Sequence, residues 1–203
     1  MYVFNLVTPT EEIRDLVLGL PGLFNVENAV AALAVVYLSG VREDEFRKAL
    51  RTFEGVKRRF DYHLRTEKMV YIDDYAHHPE ELRACISAVK ELYKGKKITG
   101  IFQPHLFTRT RDFADEFARS LELLDDVFLL DIYPARERPI PGITSGMLLE
   151  KIVSERKWLV KKEDIIEMLL ETNPEVVLTL GAGDIDQLVN PIASALSIKA
   201  KSN

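Results

Sequence analysis

Four short stretches hold most of the residues that could do chemistry. Residues 73–82 read DDYAHHPEEL: two aspartates, a tyrosine and two histidines ahead of a proline and an acidic pair. Residues 104–112 read PHLFTRTRD and bring His105, Arg109 and Arg111. Arg58 and Arg59 stand side by side, and GAGD occupies 181–184. The first stretch admits a metal site, an acid/base pair, a nucleotide clamp or a polar turn between a strand and a helix. Zinc is disfavoured, because adjacent His77 and His78 on an extended segment do not readily face one ion. The plain alternative is a helix start, with His78 or Asp74 satisfying free backbone N–H groups ahead of Pro79. A second histidine-bearing loop tilts the balance toward a shared site. The arginines suit phosphate or carboxylate through their planar forks, although surface salt bridges are the usual fate of arginine. TRTRD at a helix start would oppose the helix dipole and would need an anion or an acidic neighbour, which raises Arg109 over Arg111. GAGD follows an apolar strand, but the dinucleotide fingerprint needs a third glycine and a later acidic residue. No GxxxxGK[ST] phosphate loop occurs.

The elements that must position these residues follow from periodicity and punctuation. YVFNLV and IRDLVLGL read as strands and LPGLF as a turn. NVENAVAALAVVYL, 25–38, is almost wholly apolar and predicts a buried helix, and REDEFRKALRTF a more solvated one. Residues 1–56 are a small domain or the tail of a larger one. Beyond GVKRRF the pattern becomes strand–helix alternation. DYHLRTEKMVYIDD predicts two strands, PEELRACISAVKELYKG a helix opened by Pro79, and KKITGIFQ a strand. RDFADEFARSLELL predicts one helix capped from Thr108 or Thr110. DVFLLDIY, KWLV and EVVLTL are strands; SGMLLEKIVSE, KEDIIEMLLE and DIDQLVNPIASALS are helices, the last with a kink or break at Pro191. The expected fold is α/β, a Rossmann-like mostly parallel sheet with helices on both faces. In such sheets ligands sit beyond the carboxyl ends of the strands. The loops DDYAHH, QPHLFTRT, YPARERPIPGITS and GAGD should line that edge.

Composition sets outer bounds. The 203 residues are 47% hydrophobic and 29% charged, as in globular proteins, with a net charge of -5 that disfavours a nucleic-acid partner. Cys85 is the single cysteine, so neither an intrachain disulfide nor a cysteine-rich zinc site is available. The N-terminal residues lack the pattern of a signal peptide, and no apolar run approaches the ~20 residues of a membrane helix. A cytoplasmic protein with no membrane partner is the expectation.

Taken in order, LPGLFNVENAVAA, GVKRRFD, DDYAHHPEEL, FQPHLFTRTRDF and LLDIYPARERPIPGITS resemble the C-terminal part of the Mur ligases. The branch that joins L-alanine to UDP-N-acetylmuramate is nearest. The resemblance covers essentially the whole chain, and DDYAHHP combined with PHxxTRTRD is far more specific than either motif alone. It implies residues 1–56 as the tail of the central ATP-binding domain and 57–203 as the C-terminal Rossmann-like ligase domain. It also implies ATP-dependent amide formation through an acyl phosphate in peptidoglycan synthesis. The partners would be UDP-N-acetylmuramate, L-alanine, ATP with Mg2+, and the two domains that precede this one. The chain alone is expected to be inactive for want of a phosphate loop.

Residue by residue, the resemblance assigns Asn25 and Asn28 to adenine, the Arg58–Arg59 pair to the ATP phosphates, and Asp74 to the ribose. Tyr75, His77, His105 and Arg109 match positions around the incoming amino acid and the transferring phosphate, with Arg109 for the alanine carboxylate. His105 and His77 are the candidate active-site contacts, and no metal ligand is assigned. Phe24 and Leu106 depart from the family pattern, standing where many members have histidine and arginine. Three rivals remain: a sibling ligase that attaches a preformed peptide in wall recycling, a stand-alone non-catalytic binding module, and a dinucleotide oxidoreductase resting on GAGD alone.

Overall fold

The computed structural model describes residues 2–202, which form two compact units divided between Val56 and Lys57. In the first unit β1 (Tyr2–Val7) and β2 (Glu12–Leu18) pair antiparallel, with a register shift between Phe4 and Leu6. Helices α1 (Leu23–Leu38) and α2 (Glu43–Thr52) follow. Leu6, Ile13, Leu16, Leu33 and Phe46 make its core. The helix expected to be buried is α1, but most of it is exposed. Only Ala29 and Leu33 are buried within this unit, while Leu23, Val30, Val35 and Leu38 are exposed. An apolar periphery on all sides says that a helix can be enclosed, and it does not say what encloses it.

The second unit carries a six-stranded sheet. Its strands are β3 (Asp61–Arg65), β4 (Val70–Asp74), β5 (Ile98–Phe102), β6 (Asp126–Leu129), β7 (Lys157–Leu159) and β8 (Val176–Leu180), in the order β3-β4-β8-β5-β6-β7. All neighbours are parallel except the β3–β4 pair at one edge. Every residue of β4, β5, β6 and β8 is buried, as covered parallel strands require.

Handedness then dictates which face each helix takes. The steps from β4 to β5, β6 and β7 all run one way across the sheet, and their connections carry α3 (Pro79–Leu92), α4 (Phe107–Asp112), α5 (Ala114–Leu121) and α6 (Ser145–Lys151). The step from β7 to β8 runs back, so a right-handed crossover puts α7 (Ile165–Glu171) on the opposite face. Helix α8 (Val189–Ser202) joins it there: Ile165, Leu169, Ile192 and Leu196 share one cluster with Tyr71, Ile101, Phe128 and Val177. Phe102, next along β5 from Ile101, turns to the other face and meets Phe117 of α5 with ring centres 5.4 Å apart.

Two helix expectations need correction. The predicted single helix after β5 is two helices, broken at Phe113, and it starts earlier than its threonines. Leu106 is the residue ahead of α4 and holds φ 73. The Thr110 hydroxyl donates back to Leu106 O at 2.8 Å instead of capping. At the other end, a 3-10 turn over Asp184–Leu188 precedes α8, so Pro191 lies in the first turn of α8 and does not kink it.

Candidate functional site

The loops after β4, β5, β6 and β8 converge at the carboxyl edge of the sheet, and the loop after β7 joins them. The DDYAHH loop divides its labour sharply. Asp73 is fully buried; its carboxylate accepts from the Thr179 hydroxyl at 2.6 Å and from Arg58 Nε at 3.1 Å. Asp74 is buried with one oxygen on Phe60 N–H and the other on Ala76 N–H, both at 2.8 Å. Burial pushes its carboxyl up to about 6, against the opposing pull of those two N–H groups and of Arg59. The helix start ahead of Pro79 is a capping box of His78 and Glu81 and does not use Asp74. Glu81 reaches back and accepts from His77 N–H at 2.9 Å and His78 N–H at 3.1 Å. The His78 ring rests edge-on against Phe113.

The adjacent arginines differ in kind. Arg58, with φ 60, turns inward: its guanidinium bonds Asp73 and donates to Gly181 O at 2.6 Å. Arg59 is exposed, and its guanidinium lies 5.3 Å from the Tyr75 ring centre. Arg58 lies 5.0 Å from the same ring. Tyr75 therefore sits within cation–π distance of both arginines.

From Tyr75 a line of rings crosses the edge. Tyr75 to His77 is 5.3 Å, His77 to His105 6.0 Å and His105 to Tyr133 5.6 Å. Arg109 reaches into this line. Its Nη1 is 3.5 Å from both His77 O and His105 Nδ1, contacts at the limit of hydrogen bonding that leave the fork largely uncommitted. Burial and the Arg109 charge, with His77, hold the His105 imidazole below its ordinary value, so the ring is neutral near pH 7. The dipole argument for these arginines does not survive: Arg109 and Arg111 lie in the last turn of α4, where cations are favoured. Arg111 is exposed and pairs with its neighbour Asp112 at 2.7 Å.

GAGD is a packing turn. Gly181 has φ +142, and a Cβ there would come 2.8 Å from Gln103 O. A Cβ on Gly183 would lie 2.4 Å from Gln103 Oε1 and 2.7 Å from the Tyr133 side chain. Buried Gln103 closes the contact, donating to Asp184 at 2.8 Å and accepting from Ile185 N–H at 2.9 Å. Lys162, from the loop after β7, pairs with Asp184. Beside this turn lies an open cleft of about 340 Å³, lined among others by Asp131, Tyr133, Lys161 and Glu163.

Sequence reasoning placed Glu81 only beside the positive end of the helix dipole, and it singled out none of Gln103, Tyr133 and Glu137. Glu137 accepts from the backbone N–H and hydroxyl of Thr108. A glutamate three residues past His78 is a legible capping signal; a cap supplied from another loop leaves no local trace. In the separate first unit, Asn25 donates to Pro21 O at 2.6 Å, and Asn28 is exposed one turn further along α1. Among the described residues no three of His, Cys, Asp or Glu converge as a metal ion would require. None of the helices described is long and apolar enough to cross a membrane.

The chain belongs to the Mur ligase family: the family described as Mur ligase, glutamate ligase domain, matches residues 58–183. UDP-N-acetylmuramate–L-alanine ligase of Parabacteroides distasonis is 54% identical over 193 residues, covering 95% of this chain and 42% of that protein. The enzyme of that name from Flavobacterium psychrophilum is 51% identical over 98% of the chain and 44% of its own length. The chain thus spans about two fifths of the curated relatives it matches. Among solved structures, UDP-N-acetylmuramate-alanine ligase of Thermotoga maritima superposes with a TM-score of 0.73 at 29% identity, covering 90% of this chain and 40% of that one. A murein peptide ligase of Psychrobacter arcticus, at 22% identity and TM-score 0.63 over 88% and 38% of the two chains, shares the fold.

Proposed function

We propose that the chain is the carboxyl-terminal portion of a cytoplasmic ligase that joins L-alanine to UDP-N-acetylmuramate, at the expense of ATP, in peptidoglycan synthesis. On this reading residues 57–203 are the amino-acid-bearing domain and 1–56 belong to the ATP-binding domain. The exposed apolar positions of α1 support the second assignment. ATP phosphorylates the muramate carboxylate, and the amine of alanine attacks the acyl phosphate with release of phosphate.

The observation that carries the reading is the uncommitted Arg109 fork beside the line of rings from Tyr75 to His105. A guanidinium with open donors can grip the alanine carboxylate in two parallel bonds. Neutral His105 then offers the amine an acceptor nitrogen, which an imidazolium would not. The engagement of Arg58 makes Arg59 the arginine free to meet the ATP phosphates. Asp74 has one N–H on each oxygen and a lone pair left on each, which is what a ribose hydroxyl would use. Asn25 and Asn28, three apart on α1, share a face that suits an adenine edge. No magnesium ligand is assigned to this chain, and no step is routed through the ion.

Titration of L-alanine into the chain, followed by calorimetry and by histidine resonances, tests the assignment. Arg109→Ala should abolish the response while Arg111→Ala leaves it within about twofold. Equal responses from the two variants would remove Arg109 from the site.

A further inference from the structure

The loop that carries His105 and Arg109 is clamped by the loop after β6. Leu106, between them, holds φ 73, a left-handed conformation that a leucine keeps only where its surroundings over-determine it. Those surroundings are specific. Tyr133 N–H donates to Pro104 O at 2.8 Å, and Leu106 N–H donates to Tyr133 O at 2.9 Å. Thr110 donates to Leu106 O from its N–H at 3.1 Å and its hydroxyl at 2.8 Å. The last tie is a side chain: the Glu137 carboxylate takes Thr108 N–H at 2.9 Å and the Thr108 hydroxyl at 2.5 Å. Glu137 is itself fixed by a turn, its N–H on Pro134 O at 2.9 Å beside Ala135 at φ 50.

We propose that Glu137 is a positioning residue for this site: acting through Thr108, it holds the left-handed turn at Leu106 and so sets how His105 and Arg109 face each other. It touches neither the His105 ring nor the Arg109 fork by any hydrogen bond in the structure, and it works through backbone geometry. The inference rests on the reading above only in taking His105 and Arg109 as contacts of the incoming amino acid.

A simple charge effect and a positioning effect predict opposite signs at His105. As a bare negative charge, Glu137 raises the His105 value, while burial, Arg109 and His77 lower it. If Glu137 acts only as a charge, Glu137→Ala should lower the His105 midpoint further. If it positions the turn, its removal lets the ring leave Tyr133 and Arg109, and the midpoint rises toward that of a free imidazole. The measurement is a nuclear magnetic resonance titration of the histidine Cε1–H signals in the 203-residue chain, with His105 assigned from a His105→Gln spectrum.

The expected result is an upward shift in Glu137→Ala, which removes both bonds to Thr108, together with loss of the ring-current displacement that Tyr133 imposes on His105. Thr108→Ala keeps the charge and the backbone bond; a smaller shift of the same sign is expected there. It also serves if Glu137→Ala does not fold. A fall in Glu137→Ala, or an unmoved midpoint in Thr108→Ala, would overturn the proposal. Addition of L-alanine to the wild-type chain keeps the two questions apart. Absence of binding would count against the alanine reading, while the His105 midpoints would still judge Glu137.

Discussion

Replacing Arg58 by alanine should destabilise the second unit, whereas the same change at Arg59 should be nearly silent. The Arg58 side chain is 14% exposed and Asp73 1%, with the two joined at 3.1 Å. Arg58 also holds Gly181 O, so one truncation strands a buried carboxylate and loosens the turn after β8. Breaking a buried pair by removing one partner costs about 3–5 kcal/mol. The lower end applies, because Thr179 still donates to Asp73 and the Arg58 side chain is partly exposed. About 3 kcal/mol corresponds to a melting temperature lower by roughly 6–12 °C for a unit of this size. The assay is urea unfolding followed by Trp158, the sole tryptophan, which stacks on Phe128 at 4.9 Å inside this unit. Arg59→Ala, at an exposed position, should fall within about 0.5 kcal/mol of the wild type. Adding Asp73→Asn to Arg58→Ala should recover part of the loss, because the unpaired charge is then gone. Equal stabilities for the two arginine variants would refute the reasoning.

Three further outcomes are expected. With the folded Asp74 carboxyl at about 6, against an unfolded value near 3.9, the folded state holds a proton that the unfolded chain has lost. That contribution is complete below the unfolded value and is lost as pH rises through 6. Between pH 4.5 and 7.5, Asp74→Asn should therefore gain roughly 2 kcal/mol on the wild type in urea melts; a constant difference would contradict this. Gly183→Ala should cost about 1–3 kcal/mol by driving a methyl into Gln103 and Tyr133, measured by the same melts. Gly146→Ala, in α6 with only Thr144 Oγ1 at 3.5 Å from the new carbon, should stabilise by about 0.5 kcal/mol, and a loss there would be unexpected.

The layout of the second unit was legible because its strands are short buried runs separated by helices of clear period. That alternation implies a parallel sheet and puts the reactive loops on one edge, where they are found. What escaped the sequence depends on contacts distant along the chain. Arg58 and Arg59 are chemically identical neighbours, and only the pocket made by Asp73 and Gly181 turns one inward. The start of α4 was misplaced because its cap is Glu137, 29 residues beyond Thr108, and because a leucine at φ 73 carries no propensity signal. GAGD looked like half of a nucleotide fingerprint, but the reason for its glycines is the approach of Gln103 and Tyr133. The exposure of α1 shows the converse limit: an apolar helix reports a capacity for burial, and its partner must be sought elsewhere.

The sheet order has a kinetic consequence. β4 and β5 follow one another in sequence but are separated in space by β8, which contributes residues 176–180. The centre of the sheet is therefore its last strand to be synthesised. Until it inserts, β4 and β5 each offer an open edge of backbone donors and acceptors, an invitation to intermolecular pairing. The long loop closures this demands slow folding. Chains shortened ahead of Val176 should accumulate as aggregates, whereas chains shortened within α8 should retain a closed sheet.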